Sequence, residues 1–256
     1  MMAAIELELA ERDIHFDRNG NRVRCFPHVI NIAVKTGLSF LTTLPSLPHD
    51  AADDDGYRNA LASDLISRVR HLVNLCRASG NRRDEFRNTV LSMRRELDCN
   101  DENMLLDRVV VLLRDVDTRW SSTFYMVDRF LELYPAIQRF VQKDPKLSDT
   151  DLFTSVELQV LDDIRSYLFA FHSVQELASA EKTPTLSIVL PLYEGLIEIL
   201  GMMKSTLPNL SHIINVSLDK LHEYVDKAQV TNIYGLAMGT PFFLQSFRLP
   251  LLNKTQ

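Results

Sequence analysis

Cysteine, glycine, proline and tryptophan are all scarce in this chain of 256 residues. It holds three cysteines (Cys25, Cys76, Cys99), 8 glycines, 10 prolines and a single tryptophan. An odd, scattered set of cysteines makes no disulfide framework and fits a reducing compartment. With 46% hydrophobic and 24% charged residues, so few glycines and prolines exclude a fibrous or low-complexity chain and leave a globular one with an ample core. No window holds eighteen uncharged apolar residues, so neither a membrane span nor a membrane partner is expected. The opening MMAAIELELAERD is acidic and lacks a long apolar core, so no ordinary secretory signal is expected and an intracellular soluble protein is the starting point. Gly-rich phosphate loops, nucleophile elbows and HExxH motifs are missing, and no local pattern couples a serine to a histidine, which argues against an independent hydrolase. A net charge of −6 excludes a wholly basic, histone-like protein but says nothing about local patches.

What is present is helical periodicity. Residues 22–26 (RVRCF) alternate weakly and predict a short strand. Pro27 then suits a first helical turn, with Val29, Ile30, Ala33 and Val34 on one face and Gly37 as a stop. Residues 41–56 carry prolines and an aspartate run without apolar period and predict a mobile loop. From Tyr57, the spacing of Leu61, Leu65, Val69, Leu72 and Cys76 predicts one helix ending near Gly80, and Phe86, Val90, Met93 and Leu97 mark a second. RVVVLLRDV at 108–116 is β-branched and short, and predicts a strand. Ser121 or Ser122 can cap a helix whose face of Val127, Phe130, Leu131, Tyr134, Ile137 and Phe140 runs to Asp144–Pro145. Further helices are expected at about 152–179, 185–205 and 211–228. The fold class is therefore mainly α, with segments 1–40, 41–56, 57–107 (basic), 108–143 and 144–256.

Four features have candidate chemistry. Residues 66–95 hold eight arginines, no lysine and only Asp84 and Glu85 in opposition, a local charge of +6. Such a face is either solvated surface or a phosphate contact, with Arg82, Arg83 and Arg87 as DNA-contact candidates. Asp115 and Asp117 form D-x-D at a strand end, a place for metal-binding carboxylates or for polar support of the Arg119–Trp120 loop. Cys25 and His28 have a metal-like gap, but no second Cys/His pair follows at finger spacing, and His71 and Cys99 stand isolated. The structural alternative has Cys25 ending a buried strand and His28 satisfying a backbone carbonyl. Trp120 reads first as a large core anchor. No metal site is expected in this chain.

Three segments in order, RVRCFPHVINIAV (22–34), DVDTRWSSTFYMVDRFLEL (115–133) and KTPTLSIVLPLYEGLIEIL (182–200), resemble the ribonuclease H-like core and helical insertion of hAT-family DNA transposases. Residues 219–243 are similar to the stretch that follows in fungal members. The resemblance implies a helical insertion domain with a small remnant of a ribonuclease H-like α/β sheet at 22–26 and 109–116. It places Cys25, His28 and Asn31 in a Cys-Phe-x-His-x-x-Asn motif, with His28 near the DNA-processing site and Cys25, Asn31 and Asp117 in structural roles. It makes Trp120 a ring that stacks on an unpaired base, with Arg119 on a nearby phosphate. Family enzymes cut DNA with three carboxylates holding Mg²⁺ or Mn²⁺. Those carboxylates belong upstream of the CxxH motif and downstream of the insertion, where this chain leaves no room. The expectation is a nuclear, truncated transposase-like chain with no cofactor of its own. It would associate with DNA non-specifically, self-associate through uncovered sheet edges, and be unable to transpose alone. A helical protein-interaction scaffold derived from a transposase is the alternative.

Overall fold

The computed structural model describes residues 1–18, 22–43, 55–97, 111–116, 119–147, 152–180 and 186–229, together with 231, 234 and 237. Among these, nine α-helices account for the architecture. α1 (Met2–Ala10) was not expected from the sequence and buries no residue. α2 (Phe26–Ser39) has Pro27 in its first turn as predicted and buries Val29, Ile30, Ala33 and Val34. Gly37 lies inside the helix instead of stopping it. A Cβ there would meet the Tyr167 hydroxyl at 2.2 Å and Ser217 Oγ at 2.4 Å, so only glycine lets the neighbouring helices come this close.

The single helix expected from Tyr57 to Gly80 is two, α3 (Asp55–Ala62) and α4 (Leu65–Cys76). Asp64 divides them: its carboxylate accepts the Ser67 N–H at 3.1 Å and the Ser67 hydroxyl at 2.5 Å, an N-cap that starts a new helix. The apolar series Leu61, Leu65, Val69, Leu72 and Cys76 is buried across the break. Gly80 opens α5 (Gly80–Leu97), which buries Phe86 and Val90. α6 (Trp120–Lys143), α7 (Ser155–Ala180), α8 (Leu186–Thr206) and α9 (Ser211–Gln229) follow the predicted ranges closely. α7 begins with a capping box. Thr154 and Glu157 each accept the other's backbone N–H, at 2.8 Å from Thr154 and 3.2 Å from Glu157.

Neither expected strand forms among the described residues. Residues 22–25 run into α2 without a ladder partner, and Phe26 is already helical. Residues 108–110 lie outside the described residues, and 111–115 form no strand. A lone antiparallel bridge joins Val116 to Arg119. The reason is the partner: a strand needs a neighbouring strand, and here the Leu112 carbonyl goes instead to the Arg77 guanidinium. The mainly-α class stands, and no remnant of a sheet is seen among the described residues. Of the loop expected at 41–56, residues 44–54 lie outside the described residues, and Asp55 and Gly56 belong to α3.

α7 is the central element and touches α2, α3, α6 and α8, while α2 and α8 pack on α9 and α5 packs on α6. Its Val160, Leu161, Ile164, Tyr167, Leu168 and Phe171 are fully buried at three- and four-residue spacing. α8 is long and apolar enough to cross a membrane, with a window of mean hydropathy 1.6 that is 39% buried. It also carries exposed Glu194 and Glu198, and it buries Ile188, Leu192, Tyr193, Leu196 and Leu200 in the common core, as a central bundle helix does.

Candidate nucleic-acid interface

The Thr-Arg-Trp-Ser-Ser motif forms a tight corner. The Arg119 N–H donates to the Val116 carbonyl at 2.9 Å, and Asp117 and Thr118 lie outside the described residues. Ser122 does not cap α6 at its N-cap, which is Arg119. Its hydroxyl accepts the Val116 N–H at 2.7 Å and donates to the Arg119 carbonyl at 2.6 Å, so it ties the corner together. Trp120 is 4% exposed and meets Phe171 of α7 edge-on at 6.2 Å. As placed, the ring is a core anchor and its face is closed to a base. Arg119 is exposed, and its side chain has no partner among the described residues. Asp115 accepts from Arg70 Nε at 2.6 Å and from the Thr123 hydroxyl at 3.5 Å. A divalent ion would have to displace that guanidinium. Among the described residues no three His, Cys, Asp or Glu side chains gather to hold a metal, and Asp117 lies outside them.

The arginines of 66–95 divide into two groups. Arg68 pairs with Glu157 and lies over the Phe153 ring at 4.4 Å. Burial works against the Glu157 carboxylate, but hydrogen bonds from Thr154 and Arg68 hold it below its usual range. Arg70 pairs with Asp115, Arg82 with Asp144 at 3.8 Å, and Arg94 with Glu132 at 4.0 Å. Arg95 is engaged as well. Arg83 and Arg87, one helical turn apart on α5, are exposed and make no ion pair among the described residues. They border a cleft of about 120 Å³ with Arg77, Cys76, Phe86, Val111 and Leu112. Burial pushes the Cys76 thiol up to about 12, with Arg82 partly opposing, so it stays protonated.

The Cys25–His28 motif sits elsewhere. Cys25 is exposed at the N-cap of α2 and does not end a buried strand. The His28 backbone N–H donates to the Cys25 carbonyl, while its ring is exposed and has no hydrogen-bond partner among the described residues. Asn31 is half-buried on α2. Around His28, a cleft of about 260 Å³ gathers Arg22, Arg24, Tyr224 and Lys227. Arg24 donates to the Lys227 carbonyl at 3.4 Å, and Lys227 lies 5.0 Å from the Tyr224 ring centre. Lys220 and Lys227 hold the Glu223 carboxyl down at about 2. Sequence reasoning named His28 but missed Arg22, Arg24 and Lys227. The alternating arginines in RVRC were the readable part, and Lys227, from α9, was not.

An aromatic surface lies between α6 and α7. Tyr125 is 41% exposed and Phe169 49% exposed, with His172 stacked on Phe124 at 4.6 Å between them. Burial lowers the His172 pKa, and Glu176 and Asp128 oppose that shift.

Residues 23–167, more than half of the chain, match the family model described as ZBED1 RNase-like helical domain. The chain is also similar to a putative AC transposase of Zea mays, 24% identical over 177 residues. That match covers 69% of this chain and 18% of the maize protein, so the chain spans less than a fifth of the relative's length. No solved structure matches. The family match takes in both the Cys25–Asn31 motif and the Thr-Arg-Trp corner, and the helical architecture agrees with it. The chain belongs to the ZBED1 RNase-like helical domain family and is an hAT-transposase-like protein.

Proposed function

We propose that this chain is a DNA-associated helical module of a nuclear, transposase-like protein, and that it holds duplex phosphate without reading sequence. The observation that carries the reading is the pair Arg83 and Arg87. Both are solvent-exposed on α5 and, among the described residues, neither is paired with a carboxylate, unlike their neighbours Arg70, Arg82 and Arg94. Arginine presented in this way contacts phosphate oxygens through a planar fork and carries no base information. The cationic cleft of Arg22, Arg24, His28 and Lys227 supports the same reading. Strand cutting is not assigned to these residues, because the Asp115 carboxylate is engaged by Arg70 and Thr123.

Arg83→Glu with Arg87→Glu tests the proposal by fluorescence anisotropy over a salt series. Affinity should fall alike for all duplexes, and the slope of log affinity against log salt should shrink by about 1 per lost contact. Arg82→Glu is a poorer test, since Arg82 is held by Asp144. The scaffold reading has its own support in exposed Tyr125 and Phe169, flanked by Asp128 and Glu176, which suit a basic protein surface better than phosphate. Binding that ignores both salt and the charge reversals would favour it.

A further inference from the structure

Resting on the DNA-associated reading, we propose that Arg77, Arg83, Arg87 and Arg114 form a pocket for one backbone phosphate, whose entry fixes residues 111–116 against α4 and α5. The four cations come from three places. Arg77 is the C-cap of α4, Arg83 and Arg87 share a face of α5 one turn apart, and Arg114 comes from the segment 111–116. Arg77, Arg83 and Arg87 border a cleft with apolar walls of Cys76, Phe86, Val111 and Leu112, and Arg114 reaches the Arg77 carbonyl beside it. Such walls strengthen ion contacts and offer a base edge nothing to read.

Among the described residues the site is cationic in excess. Among the described residues, its guanidinium groups find only backbone carbonyls. Arg77 donates to the Leu112 carbonyl, and Arg114 donates to the Arg77 carbonyl at 3.5 Å. Arg77 Nε is buried with no acceptor among the described residues. Burial, followed by Arg114 and Arg83, lowers the Arg77 pKa, so the cations weigh on one another. Buried donors are seldom left unmet, and like charges are seldom gathered without a counter-ion. A tetrahedral phosphate offers acceptor oxygens in several directions, whereas a planar carboxylate offers two in one plane, and donors from three elements need the former. Because Arg77 also holds Leu112, and Arg70 holds Asp115 three residues before the Thr-Arg-Trp motif, an anion here steadies the segment that leads into α6.

The test titrates inorganic phosphate into the full chain at constant ionic strength and follows the thermal midpoint, with chloride as control. The result expected is a saturable rise with phosphate alone. In Arg87→Gln and in Arg114→Gln, both exposed in the fold, phosphate affinity should fall about tenfold. Saturating phosphate should also weaken binding of a random duplex severalfold at the same ionic strength. No phosphate-specific rise, or an equal rise in both variants, overturns the pocket. Salt-dependent duplex binding that ignores phosphate and Arg114→Gln overturns the pocket while leaving the DNA reading intact. A phosphate response without any duplex binding overturns the backbone assignment and the DNA reading together, and makes free phosphate the ligand.

Discussion

Where α2 crosses α7 and α9, Gly37 leaves room for two hydroxyls. Tyr167 and Ser217 lie 2.6 Å apart, and Ser217 donates its proton to the Ala33 carbonyl at 3.0 Å, so Tyr167 must donate to Ser217. Burial raises the Tyr167 pKa and keeps the phenol neutral. In the layer of α4, α5 and residues 111–116 the account is left open. Four guanidinium groups meet few acceptors, and Arg77 Nε meets none among the described residues. Both regions bring polar groups out of water. The first satisfies each donor internally and serves packing; the second keeps donors in surplus, which is what a site completed from outside looks like.

The largest effect should come from the apolar side. Trp120 is buried against Phe171, which in turn meets Tyr167 edge-on at 5.2 Å. Trp120→Ala should cost about 3–5 kcal/mol in denaturant unfolding. It should unfold the corner before any base-specific DNA effect can be read. A variant of unchanged stability that selectively loses binding to hairpin or unpaired DNA would return the ring to a stacking role.

Gly37→Ala comes next, at about 1–3 kcal/mol, because the new methyl group would lie against both hydroxyls. Tyr167→Phe alone should cost only about 1 kcal/mol, since Ser217 keeps its bond to Ala33. Combining the two removes the nearest clash, so the double variant should be more stable than the sum predicts. Strict additivity would mean that the helices simply move apart.

The two regions were unequally legible in the sequence. The α2 face came straight from spacing, because Val29, Ile30, Ala33 and Val34 report a helix's own period. The break at Ser63–Asp64 was concealed, because Leu61, Leu65 and Val69 keep that period across it, although D-x-x-S is a cap signal. The 111–116 run reads as a strand from its β-branched residues, but pairing depends on a neighbour that no local pattern supplies. The arginine cluster was visible as charge. Which arginines are spent was not, because their acceptors lie far along the chain. Arg70 reaches 45 residues to Asp115, and Arg68 reaches 89 to Glu157. The cleft around His28 joins residues 203 apart. The Tyr167–Ser217 pair, 50 residues apart, was equally out of reach.

The smallest stability effect separates the regions most sharply. Arg83→Gln with Arg87→Gln deletes two charges from the surplus layer and removes no internal ion pair among the described residues. A like-charged pair at i, i+4 costs a helix about 0.2–0.5 kcal/mol, so relieving it should stabilise the free chain by an amount of that size at low salt. The gain should fade near 1 M salt, where the screening length is about 3 Å. Urea unfolding at two ionic strengths measures it, on the same protein in which duplex affinity is expected to fall. Stability that rises as binding falls is the signature of charges kept for a ligand. A loss above about 1 kcal/mol in the double variant would instead make Arg83 and Arg87 part of the packing, and the contrast with the α2–α7–α9 junction would fail.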